Sequence, residues 1–403
     1  MHRLVTLTGF VLLVALPAVA QQAAVLTLED VLARARESAP AIIAGRMRIE
    51  EARGRVIGAS LLFPSNPTID VEAGRRSGRA TMTDYGVEVA QGFDLPARRR
   101  ARLDAARAGL TQEEQRAREI EREVLREIAT AFLRAVEARE RTESAVSGKK
   151  IAGEALRIAE RRYAAGDVAQ LDVNLARTLA ARAETESRTS AATFTGQATR
   201  LKVLLGIAEA VTITGSLRDA LAIAADDLVV RSAERPDLRL LDAEIAEAEA
   251  EQRLARTLRW PELELRGSYK HEEGDRIVLG GVGLSLPIFN HGQEAGVVAN
   301  ARRARLRLER EALARTIDAE LRGALAAYEA LRAGAAEYER TVLPLIDESE
   351  RLALESYEVG QTGLADLLLI RREALDARRA YIDQLIETRL AEVELRARAG
   401  VWK

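Results

Sequence analysis

The side chains able to do chemistry in this chain are few in kind. It has no Cys and only three His, His2, His271 and His291. That removes thiol nucleophiles, thiolate zinc sites and disulfide staples, and the scattered His make no metal cage. The sequence carries no G-x-x-x-x-G-K-[ST] loop, no H-E-x-x-H and no G-x-S-x-G elbow, so no enzyme and no cofactor are expected. His271 with Glu272, Glu273 and Asp275 is the one tempting metal constellation. One His among acids on a turn reads instead as solvated charge, and no metal site is assigned there or at His291. Most carboxylates stand at i,i+4 from an Arg on helical faces, where they form ordinary surface pairs. Two are set apart. Asp172 follows a turn at Gly166–Gln170 and Asp366 a turn at Gly360–Gly363, each close behind a Leu, Leu171 and Leu364. A carboxylate so placed can cap a helix start or line a charged constriction that biases ion passage, and both readings stand open. Tyr163 and Tyr357 precede the same turns and read mainly as packing residues, while Gly166 and Gly360 read as turn glycines. The Arg98-Arg99-Arg100 triplet suits phosphate headgroups or open water.

These residues sit in a chain built for long helices. Its 403 residues carry 60 Lys+Arg against 62 Asp+Glu, a formal net charge of −2, which argues against a nucleic-acid partner. Aromatic residues make up only 4%, and Ala, Leu, Arg and Glu dominate. Met1–Ala20 has the form of a signal peptide, with Arg3, the apolar run Leu4–Leu16 and an A-x-A site at Ala18-Val19-Ala20. An exported chain starting near Gln21 has no Cys there to carry lipid. Any membrane crossing then falls to strands, because no later segment is apolar for long enough.

The chain reads as a duplication. Arg162-Tyr163-Ala-Ala-Gly166 returns as Ser356-Tyr357-Glu-Val-Gly360, an offset of 194 residues. Leu171-Asp172 returns as Ala365-Asp366, Arg177 as Arg371 and Gly206 as Gly400, all at that offset. The expected organisation is a first repeat over 21–206, an equatorial connector over 207–235 and a second repeat over 236–403. Each repeat predicts a short helix (Pro40–Leu61, Leu238–Arg259) and then a pair of strands with period-two alternation. Ile69, Val71, Val87 and Val89 mark the first pair; Leu263, Leu265, Val282 and Leu284 mark the second. A very long helix follows (Ala97–Ala164, Gly296–Glu358), with Pro344 kinking or splitting the second. A returning helix completes each repeat (Leu171–Leu205, Leu364–Ala399). At 1.5 Å per residue the first long helix spans roughly 100 Å and its return only roughly 50 Å. All four strands therefore belong at one end of a rod, both turns at the other, and a short extended piece near Val211–Thr214 at its waist. Four strands with open edges need closure in a membrane, and three chains would supply a twelve-stranded barrel.

With these features the chain resembles the TolC-type outer-membrane efflux proteins over about Leu26–Trp402. Within them it is most similar to the heavy-metal-efflux subgroup, partners of cobalt–zinc–cadmium and copper pumps. The strings that carry this are Ser65-Asn66-Pro67, Gln91-Gly92-Phe93-Asp94-Leu95-Pro96, Trp260-Pro261-Glu262-Leu263 and Leu286-Pro287-Ile288-Phe289-Asn290. The resemblance implies a mainly α fold with a small β part. Three chains would form an α-barrel of coiled-coil helices under a 12-stranded transmembrane β-barrel. It implies a homotrimer in outer-membrane lipid, a periplasmic tunnel, and docking on a periplasmic adaptor and a proton-driven inner-membrane pump. It also implies a passive duct gated at its periplasmic tips. Gly166, Leu171 and Asp172 match the first tip, and Gly360, Leu364 and Asp366 the second, with Tyr163 and Tyr357 beside them. Some members carry a second carboxylate three residues after the second tip's Asp; here that position is Leu369, so an acidic ring has one layer. Ducts for drugs or for secreted protein share this fold. A periplasmic adaptor would need one helical hairpin between compact β domains, and a plain coiled-coil rod would leave the four strands unexplained.

Overall fold

The computed structural model describes residues 24–77, 82–209, 211–219, 234–400 and 402. The expected signal peptide, Met1–Ala20, and most of the second half of the expected connector lie outside these residues. In chain order the elements are β1 (Ala24–Leu26), α1 (Leu28–Ser38), α2 (Pro40–Ser60), β2 (Thr68–Arg76), β3 (Met82–Phe93), α3 (Pro96–Ala165), α4 (Gln170–Leu205) and β4 (Val211–Ile213). Then come α5 (Pro236–Thr257), β5 (Glu262–Glu272), β6 (Asp275–Ser285), α6 (Gln293–Glu337), α7 (Leu343–Glu358) and α8 (Leu364–Ala399).

Helix α3 runs for 70 residues, about 105 Å. Pro96 starts it, where a missing N–H costs nothing. No isolated helix face would hold such a length straight; its neighbours do. Around its middle, Leu125, Ile128, Ala129, Phe132, Leu133 and Val136 are all buried. They meet Val31, Leu32 and Ala35 of α1, Leu201 and Leu205 of α4, Ile213 of β4, and Tyr381, Leu385 and Ile386 of α8. This waist is the main core. The connector is pinned to it from α3. Arg139 donates to the Ile213 carbonyl at 2.7 Å, and Glu140 accepts from Ser216 Oγ at 3.1 Å and Leu217 N at 3.0 Å.

Helix α1 and strand β1 are additions to the sequence reading, which placed the first helix of the first repeat at Pro40. Thr27 Oγ1 accepts from Asp30 N, and Asp30 Oδ2 accepts from Thr27 N at 3.0 Å, a reciprocal cap. The Thr27 hydroxyl and then its amide hold the Asp30 carboxyl below its usual range. β1 pairs in parallel with β4. Ala39 separates α1 from α2 because Pro40 disfavours a helical residue before it.

The four long strands form one antiparallel sheet in the order β2-β3-β5-β6. Strand β3 pairs with β5, Val87 opposite Tyr269, and so joins the two hairpins side by side. Residues directly opposite share a face. Ile69, Val71, Val87, Val89, Leu265, Val282 and Leu284 fall on one face and are exposed. The other face carries Asp70, Glu72, Glu88, Glu264, Arg266 and Lys270. Lys270 reaches Glu72 at 2.7 Å, and Arg266 reaches Glu264 at 3.0 Å and Glu88 at 3.9 Å. Within one chain the sheet stays open, with β2 and β6 at its edges.

The arginine triplet at the start of α3 looks inward more than the sequence suggested. Arg98 is 8% exposed; it pairs with Glu262 at 2.6 Å and donates to the Trp260 and Thr257 carbonyls. Arg99 donates to the Ser60 carbonyl, and Arg102 to those of Ala59 and Leu61 and to Asp94. A helix leaves its last carbonyls without partners, and here guanidinium groups of α3 satisfy those of α2 and α5. Arg100 alone of the triplet is exposed.

The second long helix is interrupted as Pro344 suggested. A five-residue π-helical turn, Tyr338–Val342, separates α6 from α7, and Pro344 lies in the first turn of α7. Pro344 has no N–H, and its ring displaces the carbonyl four residues earlier, which belongs to that turn. Tyr338 stacks on Tyr381 of α8 at 6.0 Å. Arg378 of α8 ties α7 down through Asp347 at 2.8 Å and Glu350 at 2.7 Å. Burial works against the Arg378 charge, and the two carboxylates outweigh it and raise its pKa.

Both long segments end at a left-handed glycine, Gly166 at φ 82° and Gly360 at φ 77°. A Cβ added at either position would meet no atom within 4 Å beyond its chain neighbours and its own helix, so glycine is needed there for its backbone angle and not for space. Gly166→Ala and Gly360→Ala should each cost about 1–2 kcal/mol, read as a lowered midpoint in chemical unfolding. Phe132→Ala, at the waist, should cost about 3–5 kcal/mol by the same measurement. Losses under 1 kcal/mol at Phe132 would show that the waist is not the core.

Candidate functional site

The turns that sequence reasoning singled out lie together at one end of the helices. Ala155 and Ala159 of α3, Val173 and Ala176 of α4, Ala353 and Tyr357 of α7, and Leu364, Leu367 and Leu368 of α8 form one buried cluster. Small residues on α3 and α4 let the second hairpin seat closely, and Leu364 locks the start of α8 into the contact at 4% exposure. The two Tyr differ. Tyr357 is buried in this cluster, with the Arg162 guanidinium over its ring at 4.4 Å, while Tyr163 is 46% exposed. Core packing fits Tyr357 and not Tyr163.

The two Asp differ as well. Asp172 Oδ2 accepts from the Ala169 N–H at 3.1 Å and so closes the start of α4, as a helix cap does. Asp366 is exposed at the third position of α8, and its carboxylate makes no hydrogen bond or ion pair among the described residues. A free carboxylate near a helix N-terminus is favoured by the backbone dipole and remains open to a passing cation. Leu171 is 76% exposed beside Asp172, and Leu369 is 55% exposed one turn beyond Asp366. Each tip thus presents one Asp and one bare Leu.

Above the tips a groove of about 1080 Å³ runs between the hairpins, lined by residues that include Gly148, Ala152, Thr178, Arg182, Arg372 and Asp376. Arg177 of α4 pairs across its own hairpin with Glu160 at 3.0 Å. Sequence reasoning did not mark Arg162 or Arg371 as site residues. The signal for Arg371 was its match to Arg177, and nothing in the sequence placed Arg162 over a tyrosine ring of the other hairpin.

At the opposite end, the His271 turn is organised as charge pairs. Arg76 holds Asp84 at 2.8 Å, Glu273 at 2.6 Å and Glu272 at 3.9 Å, and the His271 ring lies against Tyr85. Among the described residues no group of three or more His, Asp or Glu stands together as a metal site. Among them, too, no helix is long and apolar enough to cross a membrane. The exposed apolar face of the four-stranded sheet is the surface suited to lipid.

The description "outer membrane efflux protein" belongs to a family whose sequence model matches residues 31–221 and again 231–401. The cobalt-zinc-cadmium resistance protein CzcC of Cupriavidus metallidurans is 27% identical over 373 residues, covering 90% of this chain and 87% of that protein. Among solved structures, the CmeC outer membrane channel of Campylobacter jejuni superposes with a TM-score of 0.77 at 17% identity, over 93% of this chain and 85% of that one. CusC superposes with a TM-score of 0.73 at 17% identity, over 93% and 92%. The fold recurs in these channels over 93% of the chain, and the family match spans both halves: the chain belongs to the outer membrane efflux protein family.

Proposed function

We propose that this chain is the outer-membrane duct of a tripartite efflux pump, and that its cargo is heavy-metal cations. The observation that carries the duct is the sheet: four strands, apolar on one face and charged on the other, with both edges unpaired. Three copies would close it into a twelve-stranded barrel with the apolar face to lipid and the charged face to water. The helices would then close below into a periplasmic tunnel about 100 Å long, with both tips at its entrance. The similarity to a cobalt-zinc-cadmium resistance protein favours metals as cargo.

In this reading Met1–Ala20 directs export and the two repeats supply equivalent walls joined by the 207–235 connector. A periplasmic adaptor meets the tips, and a proton-driven inner-membrane pump provides the energy. The chain itself is passive and catalyses nothing. At the entrance, Gly166 and Gly360 reverse the chain, Leu364 and Tyr357 hold the hairpins together, and Leu171 and Tyr163 face outward for contact. Asp366 supplies the charged ring. Asp172 caps its helix.

Two measurements test this. In planar bilayers, Asp366→Asn should lower the preference for cations over anions about two- to five-fold, as expected for loss of one ring of charge, while Asp172→Asn leaves the preference unchanged. An unaltered preference in Asp366→Asn removes that residue from the ring. A strain lacking the gene should become sensitive to cobalt, zinc, cadmium or copper and not to lipophilic drugs. Sensitivity confined to drugs keeps the duct and overturns the cargo.

A further inference from the structure

Arg371 of α8 is a half-buried cation without a counter-charge. Its Nε is shielded from solvent and has no hydrogen-bond partner, and its guanidinium makes no ion pair among the described residues. Its counterpart at the 194-residue offset, Arg177, is paired: Glu160, seventeen residues before it, accepts its guanidinium at 3.0 Å. The position seventeen residues before Arg371 is Leu354. The second repeat has the arginine but a leucine in place of the carboxylate.

The space beside Arg371 is a cavity of about 190 Å³ at the seam between the two tips. Arg162 of α3, Leu354 and Tyr357 of α7, and Arg371 line it, with Leu364 and Leu367 closing one side. The Tyr357 side chain is 3% exposed, yet its hydroxyl is buried without any partner. Arg162, stacked on the Tyr357 ring, also lacks a carboxylate among the described residues. Two guanidinium-bearing side chains and one phenolic O–H therefore line one small space, all able to donate and none with an acceptor among the described residues. Unpaired buried donors and cations are costly, and a group with several acceptor oxygens and negative charge removes that cost at once.

We propose that this cavity binds a small oxyanion of the phosphate or sulfate class, held by Arg162, Arg371 and the Tyr357 hydroxyl. Arg162 belongs to the first hairpin and the other two to the second, so the bound anion ties the tips together. The binding does not depend on what the duct carries.

The test is thermal unfolding of the full chain in detergent, titrated with inorganic phosphate against chloride at equal ionic strength and fixed neutral pH. The wild type should gain about 2–5 °C, saturating by about 50 mM phosphate, beyond any chloride effect. Arg371→Gln should lose that phosphate-specific gain. Leu354→Glu restores the arrangement seen at Glu160 and Arg177; it should also lose the gain, while unfolding in chloride no lower than the wild type. That second variant separates a filled site from a broken fold. Equal effects of phosphate and chloride on the wild type, or an equal phosphate response in all three proteins, overturns the proposal.

Discussion

The unpaired edges of the four-stranded sheet are the constraint on which the rest of the structure depends. Among the described residues, strands β2 and β6 each leave a row of N–H and C=O groups without partners. In water such edges are tolerable; in hydrocarbon each unsatisfied group costs several kcal/mol. In the proposed membrane setting, a sheet whose exposed apolar face carries Ile69, Val71, Val87, Val89, Val282 and Leu284 needs further strands at its edges. Further copies of the same sheet supply them without any new element, and the proposed channel follows from that closure. In the proposed barrel the charged face would turn inward, and its cations are already engaged: Lys270 by Glu72, and Arg266 by Glu264 and Glu88.

The helices carry this end of the molecule far from the other, and three joints keep them in place. At the base of the sheet, Arg98, Arg99 and Arg102 take up the last carbonyls of α2 and α5 and fix the strands on the helices. At the waist, α1, β4 and the described first half of the connector, through Leu217, pack on the buried middle of α3. At the tips, the small residues of the first hairpin receive Tyr357, Leu364 and Leu367 of the second. Between waist and tip, the π-helical turn before Pro344 leaves α7 bound chiefly to α8, with Arg378 as its ionic tie. The two hairpins are thus unlike: one is a continuous 70-residue helix with its return, the other is broken.

Much of this was legible in the sequence because it is periodic. Apolar residues stepping by four, Ile128 to Phe132 to Val136, announced a helix that the structure buries at those positions. Alternation in Leu263–Leu265 and Val282–Leu284 announced strands, and Pro344 announced a break. What escaped was short or non-local. Helix α1 has eleven residues and rests on the Thr27–Asp30 cap, a signal easily lost beside long helices. The parallel pairing of β1 with β4 joins residues almost 190 positions apart, which no local pattern records. Arg98 read as surface charge because its type is usually exposed; the carbonyls that draw it inward come from another repeat. At the tips, the sequence could name Tyr163 and Tyr357 together, but only packing separates the exposed ring from the buried one.

The closure of the sheet by further copies is the claim from which the duct follows. Its most direct test is the mass of the protein extracted in mild detergent, measured without denaturation and corrected for bound detergent. The account predicts a particle of three chains, each close to 44.1 kDa less any removed leader. A chain that is monomeric and soluble without detergent would contradict it.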